Sequence, residues 1–246
     1  MRTSSFLLGI IALAVLTAVG CTRKPKGLAA PAATAHGTAL VVVSGDKQVA
    51  AAGATLDQPL VVQVNDKDGN AVTGAPVVLA GPAGTSFNPA SGVTDSSGQF
   101  TTNVGLGETA GRYQVTAHTW DSSGKRIDLN VIEIALAYQQ ILGRQLNHEY
   151  CDRCHNPDST PERVSNYDNL DVKPHPFTDG DTLNKLSDAD LTALIEHGGA
   201  ALGRSAEMPP WGYTLSKSDI QALVAYIRAV SDPPYEQKGL TYAAQK

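Results

Sequence analysis

Residues 111–119, Gly111-Arg112-Tyr113-Gln114-Val115-Thr116-Ala117-His118-Thr119, alternate in character: Tyr113, Val115 and Ala117 fall on one side, Gln114, Thr116 and His118 on the other. Successive side chains of a strand point to opposite faces, so this pattern predicts a strand buried on one face and wet on the other. Working outward, Val- and Thr-rich runs at 39–43, 59–65, 75–80, 99–104 and 125–132 read as further strands. Three stretches between them share one turn chemistry: Asp66-Lys67-Asp68-Gly69-Asn70, Asp95-Ser96-Ser97-Gly98 and Asp121-Ser122-Ser123-Gly124. In each, the Asp carboxylate can accept from backbone ahead of it and the Gly supplies a positive φ. Six or seven short strands at this spacing predict an all-β sandwich over residues 38–132. Asp66, Asp68 and Asn70 also suggest a calcium loop, but an EF-hand needs a bidentate Glu at its twelfth position, where this chain has Val77. The hairpin turn is the reading taken.

Beyond Glu133 the chain changes character: seven of the eight tyrosines lie there. Tyr138, Ile141, Leu142, Leu146 and Tyr150 recur at three- and four-residue steps and predict a helix over 135–150. That helix runs into Cys151-Asp152-Arg153-Cys154-His155. A C-x-x-C-H run reads as attachment of one c-type haem, with each thiol adding to a vinyl group and the adjacent His reaching the iron. Two other chemistries use such cysteines. A redox C-x-x-C pair belongs in a thioredoxin-like βαβ setting, which the pattern lacks, and zinc would require a second pair of ligands.

An iron that shuttles electrons needs a second axial ligand. Beyond Met1 the chain has one methionine, Met208, in Glu207-Met208-Pro209-Pro210-Trp211, 53 residues after His155. A Met before two prolines sits on a stiffened loop that can hold a thioether at a fixed distance. His175 and His197 are the alternatives; His148 lies on the helix that carries the proximal attachment and cannot reach the opposite face. Ser187-x-x-Asp190 predicts the capped start of a helix through Leu191, Leu194 and Ile195 that ends at Gly198. Ser216-x-x-Asp219 predicts another, with Ile220, Leu223, Val224, Ile227 and Val230 as its apolar stripe, stopped by Pro233 and Pro234.

The runs PLVVQVNDKDGNAVTGAPVVL, TDSSGQFTTNVGLG and AGRYQVTAH resemble the bacterial Ig-like domains of adhesins and surface proteins. The resemblance implies a spacer or docking module with no inter-sheet disulfide, since 38–132 holds no Cys. Residues 135–232 resemble a class I cytochrome c: a first helix entering CDRCH, a polar loop, a middle helix, MPPWG and a last helix LSKSDIQALVAYIRAV. That resemblance implies an all-α domain, His155 as proximal and Met208 as distal ligand, and Gly143 as the point where first and last helices cross. Asn147 stands where the family has an aromatic, so Leu146 or Tyr150 takes that contact. The family's Pro carbonyl that orients the proximal His has four candidates: Pro157, Pro161, Pro174 and Pro176.

At the other end, residues 1–20 carry Arg2 and a 14-residue apolar run from Phe6 to Val19, too short to span a bilayer comfortably. They read as an export signal. TAVGC resembles a bacterial lipoprotein signal, which implies a lipid on Cys21; the stretch that follows, rich in Ala, Lys, Pro and Thr with no apolar period, reads as a tether, so that 21–37 is a lipid-anchored tether, and 233–246 reads as a C-terminal tail. Ordinary cleavage after the small residues is the alternative, and both readings export the chain. Thr22, which is not Asp, favours the outer membrane by the same resemblance.

Composition narrows the function classes. A charge of −5 with no basic block argues against nucleic acid as partner. No catalytic triad, P-loop or H-E-x-x-H is present. The expectation is an exported, membrane-anchored monohaem electron carrier, not an enzyme, with a redox protein as partner and the sandwich as spacer. An adhesion or scaffold protein with a docking or sensing haem domain is the alternative. Because no linker separates 132 from the next helix, the expectation places flexibility in 22–37 and takes 135–246 to fold alone.

Overall fold

The computed structural model describes residues 35–158 and 164–236. The export signal, Cys21, most of the tether, Pro161 and the last ten residues lie outside these.

Nine strands form two sheets among the described residues. One has the order β1 (Ala39–Ser44), β3 (Leu60–Asn65), β7 (Gln99–Gly105), β5 (Ser86–Asn88). The other runs β2 (Val49–Ala51), β9 (Arg126–Leu136), β8 (Gly111–Trp120), β4 (Pro76–Ala80), β6 (Ser91–Val93). The longest ladder pairs β8 with β9, from Gly111 opposite Ala135 to Trp120 opposite Arg126. Tyr113, Val115, Ala117 and Thr119 on β8 are buried, as the alternation requires. Tyr113, Val115 and Ala117 join Leu60, Val62 and Val64 of β3 and Phe100 and Val104 of β7 in one apolar core. The Tyr113 hydroxyl donates to the Thr109 carbonyl at 2.8 Å, tying the entry of β8 to its own loop.

The three Asp-Gly turns share their geometry. One Oδ1 of Asp66, Asp95 and Asp121 accepts from the backbone N–H two and four residues on, at 2.8 and 2.9 Å. Gly69, Gly98 and Gly124 take φ of +85°, +70° and +81°. The Asp66 N–H also donates to the Asn70 carbonyl at 2.9 Å, closing the turn that the hairpin reading describes.

Strand β9 corrects two boundaries. It extends to Leu136, past the sandwich end expected at 132, and α1 (Tyr138–Leu146) begins three residues later than the 135–150 reading, with Ala137 as its N-cap. The sequence Ala135-Leu136 suits a helix, but Ala135 packs into the sandwich core and Leu136 is buried against Val230, Tyr226 and Ile141. Tertiary burial outweighs propensity here.

After α1 comes a π-helical turn, Asn147–Cys151, and then α2 (Asp152–His155). A 3-10 turn at Tyr167–Asn169 and a short α3 (Gly180–Leu183) lead to α4 (Asp188–Ala201) and α5 (Lys217–Val230). Both capping boxes form: Ser187 with Asp190, and Ser216 with Asp219, each worth about 1 kcal/mol. Helix α1 crosses α5 at Gly143, where an added methyl would sit 2.1 Å from the Ala222 carbonyl oxygen. Gly198, at φ +77° and ψ 170°, is not helical and ends the helical run from Asp188 where the sequence places its stop; the short turn that continues to Ala201 lies beyond this break. Among the described residues no helix is long and apolar enough to cross a membrane.

The two halves share an apolar cluster. Ile134 and Leu136 of β9 pack with Val230, Ala229 and Tyr226 of α5, Ile141 of α1, Val49 and Phe177. Arg144 donates across the junction to the Val49 carbonyl at 2.7 Å. The expectation of a stiff junction fits this packing. Ile134 and Val49 join this cluster from outside 135–246, so that segment taken alone would leave part of the cluster uncovered.

Candidate haem site

The site forms where α1 widens. The Asp152 N–H bonds the carbonyl of Asn147, five residues back, and the buried Asn147 amide donates to Asp152 Oδ1 at 2.9 Å. Such single wide turns recur at functional sites because they re-aim the side chains that follow. Here Asn147 braces the turn that delivers Cys151. Leu146 and Tyr150 both pack, partly buried, against the cluster that includes Ile220, Leu223 and Ile227 of α5, and the Tyr150 ring meets Trp211 edge-on at 5.4 Å.

Cys151 and Cys154 are half-buried free thiols, not bonded to one another. Burial, helped by the nearby Asp152, pushes the Cys151 thiol up to about 12. A reactive redox C-x-x-C cysteine is tuned the opposite way. Among the described residues no three His, Cys, Asp or Glu side chains gather as a metal ion other than haem iron would need.

His155 Nδ1 lies 2.8 Å from the His175 carbonyl oxygen. A carbonyl can only accept, so Nδ1 carries the proton and Nε2 keeps its lone pair. Burial holds the imidazole below its usual pKa, against the opposing pull of that hydrogen bond, so the ring is neutral at pH 7. Among the described residues the acceptor corrects the sequence reading: it belongs to none of Pro157, Pro174 and Pro176 but to His175, between the last two. Phe177 covers the His155 ring at 5.1 Å, and the His175 side chain pairs with Asp179 at 2.8 Å. His175 thus holds the His155 imidazole through its carbonyl and Asp179 through its side chain, while His197 is exposed on α4.

Met208 sits on a loop stitched to the end of α4. Its carbonyl accepts from Gly199 N at 3.0 Å; Trp211 N and Gly212 N donate to the Ile195 and Glu196 carbonyls at 3.0 Å. Gly198 is required here for conformation and space, since a methyl would lie 2.8 Å from Pro210 N and 2.9 Å from the Met208 carbonyl. Glu207 accepts from the Asp171 and Val172 N–H groups at 3.3 and 3.4 Å, which holds its carboxyl below the usual range. Those bonds tie the Met208 loop to the segment that follows the C-x-x-C-H run.

Cys151, Tyr150, Leu146, Phe177, Met208 and Trp211 all pack, partly buried, against one cluster that includes Leu191, Ile195, Ile220, Leu223 and Ile227. The fold therefore brings the C-x-x-C-H run and the methionine onto one apolar surface. Two thiols, an imidazole with a free Nε2, a thioether and an apolar wall fit the donor set and surroundings of haem c. Phe177, Glu207 and the His175 carbonyl are missing from the sequence reading. The only available signal was Pro174-His175-Pro176, which fixes the chain around that carbonyl.

Two family models match the chain. A bacterial Ig-like domain (group 1) matches residues 39–132, and a model described as cytochrome c oxidase, cbb3-type, subunit III matches 140–227. The chain thus carries a β-sandwich Ig-like domain followed by a helical region with a cbb3-type cytochrome c domain. No curated protein matches it. Similar solved structures include the D00-D0 domain of Intimin, at 19% identity and TM-score 0.32 over 42% of this chain and 50% of that one. Invasin, titled a bacterial integrin-binding protein, matches at 22% and 0.30 over 40% of this chain and 19% of its own. The Yersinia pseudotuberculosis adhesin InvE matches at 18% and 0.32, over 40% and 32%. The chain covers half or less of each.

Proposed function

We propose that this chain is an exported, lipid-anchored monohaem c-type cytochrome that carries electrons between redox partners outside the cytoplasmic membrane. The observation that carries the reading is the protonated Nδ1 of His155, fixed on the His175 carbonyl beside two free thiols in C-x-x-C-H. The family match over 140–227 and the order of helices around Gly143 support a class I cytochrome fold.

Haem c bound here would supply a one-electron couple. Cys151 and Cys154 would anchor it, each S–H adding across a vinyl double bond so that sulfur takes one carbon and hydrogen the other. His155 would ligate through Nε2, its orientation and basicity set by the His175 carbonyl. Met208 would supply a thioether ligand from its stitched loop. An imidazole and a thioether held by the protein would favour outer-sphere electron transfer over binding of O₂ or peroxide, the behaviour of a carrier. A thioether ligand raises the potential. Cys21 would bear the lipid, placing the protein on the periplasmic or surface side of a membrane, with the outer membrane favoured. The Ig-like domain would serve as spacer or docking module.

The Ig-like match favours one second reading, a surface adhesion or scaffold protein whose haem domain serves docking or redox sensing. The test is export of the full chain with haem-maturation machinery, followed by acid-acetone extraction and a pyridine spectrum. Haem retained by the denatured wild-type chain, and lost when Cys151 and Cys154 are both changed to Ser, is the expected result. Extractable haem, or none, would reject covalent attachment. Partner binding that ignores oxidation state would favour the second reading.

A further inference from the structure

Two contact paths run from the sandwich to the loop that orients His155. The polar path begins at Arg112, beside Gly111 at the start of β8. Its Nη2 donates to the Ser231 carbonyl, and lies 3.5 Å from that of Ala229, at the end of α5. Ser231 is fully buried. The next residue, Asp232, donates its N–H to the Thr178 carbonyl at 2.8 Å and accepts from Gly180 N at 3.1 Å. These bonds lash residues 178–180 to the segment after α5. The approach is close enough that a methyl on Gly180 would sit 2.3 Å from the Pro233 carbonyl oxygen. Just upstream, the Asp179 N–H bonds the Pro176 carbonyl at 2.9 Å, and the His175 carbonyl receives the His155 proton. The apolar path is shorter. Phe177 packs on the His155 ring and, through the shared cluster, against Ile134, Leu136 and Val230; its ring also meets Tyr226 at 6.4 Å.

Resting on the haem reading above, we infer that the Ig-like domain braces the proximal side of the site, with Arg112 as a positioning residue that fixes residues 175–180 through Ser231 and Asp232. The sandwich is then a structural part of the redox centre as well as a spacer. An N–H···O=C bond from a ligating imidazole raises its basicity and favours oxidised iron. A looser His175 carbonyl weakens that bond, so the midpoint potential rises. Arg112 presents its donors in a rigid planar fork, whereas Lys carries its three donors on a flexible stem that must be ordered to reach the Ser231 carbonyl. Part of the effect should therefore return in the Lys variant.

The experiment uses the full-length holoprotein as wild type, Arg112→Ala, Arg112→Lys and, as a control, Arg126→Ala, an exposed charge on the same sheet. Two quantities are read: the midpoint potential, and native-state amide exchange at Gly180 and Asp232. Arg112→Ala is expected to raise the potential and to speed exchange at both amides at least tenfold, with Arg112→Lys between it and wild type and Arg126→Ala unchanged. The sulfur-to-iron charge-transfer band should persist in all four, since neither arginine takes part in the hydrogen bonds that hold the Met208 loop. If Arg112→Ala does not accumulate as holoprotein, Arg112→Lys alone decides: wild-type potential and exchange there overturn the inference. Unchanged values in Arg112→Ala also overturn it. A wild-type chain without covalent haem would fail the haem reading instead, and amide exchange would still test the brace.

Discussion

Glu133 offers a sharp test of the packing. It lies on β9 between the core residues Val131 and Ala135, opposite Tyr113, and is 0% exposed. Its Oε2 accepts from Gln48 N at 2.6 Å, while Oε1 has no hydrogen-bond partner. Burial raises its pKa from 4.5 to about 7, only partly offset by the Gln48 bond and reinforced by Asp46. Between those values the native state keeps a proton that the unfolded chain has released, so stability falls as pH rises from about 4.5 to about 7. Below 4.5 both states are protonated and the penalty is absent; above 7 it is complete. At about 1.4 kcal/mol per pH unit, this group accounts for about 3 kcal/mol over the window. Glu133→Gln keeps the shape and an acceptor for Gln48 but cannot ionise. Its buried amide N–H₂ lacks a partner, which costs about 1–3 kcal/mol at every pH, so the diagnostic is the change in difference with pH. Urea unfolding followed by circular dichroism at pH 5, 6, 7 and 8 should show wild type losing stability relative to Glu133→Gln as pH rises. Parallel profiles would refute the argument that this carboxylate is held in the core without a second partner.

Further outcomes follow from the site and its scaffold. Met208→Ala should keep covalent haem, because Cys151 and Cys154 do not depend on it, yet lose the charge-transfer band of the oxidised protein; a surviving band would mean another ligand. Gly143→Ala forces α1 and α5 apart against the 2.1 Å approach to Ala222 and should cost about 1–3 kcal/mol, read as a lower melting temperature. Cys21→Ser should release the protein from membranes or leave it unprocessed with normal haem content; a soluble wild type with unmodified Cys21 would contradict the anchor. Export of 135–246 alone should give a less stable cytochrome than the full chain, because that cut removes Ile134 and Val49 from the shared cluster; equal melting temperatures would show that cluster to be inert.

What the sequence revealed, and what it hid, follows how local each signal is. The alternation through Tyr113, Val115 and Ala117, the Asp-Gly turns and the two Ser-x-x-Asp caps all lie within a few residues of one another, and each takes the predicted form. Strands β2, β5 and β6 have three residues apiece, too few for alternation to register, and β2 exists only by parallel pairing with β9, some eighty residues later. The end of β9 was masked for a related reason: Leu136 becomes strand through contact with Val230 and Tyr226, partners that no local window includes. At the proposed site, the candidate side chains were visible because the C-x-x-C-H spacing and Met208, the one methionine beyond Met1, stand out by residue type. The groups that position them were not. The acceptor for His155 is a backbone carbonyl, which any residue could supply, and Glu207 acts through backbone N–H groups that carry no sequence mark.

The central claim, a single covalently held haem that cycles one electron, is tested most directly by anaerobic spectroelectrochemical titration of the exported full-length protein. The account predicts one reversible one-electron transition in the visible spectrum, retraced in both directions, with a sulfur-to-iron charge-transfer band in the oxidised state. A transition of two electrons with no visible change, as the Cys151 and Cys154 thiols would give on closing a disulfide, would contradict it.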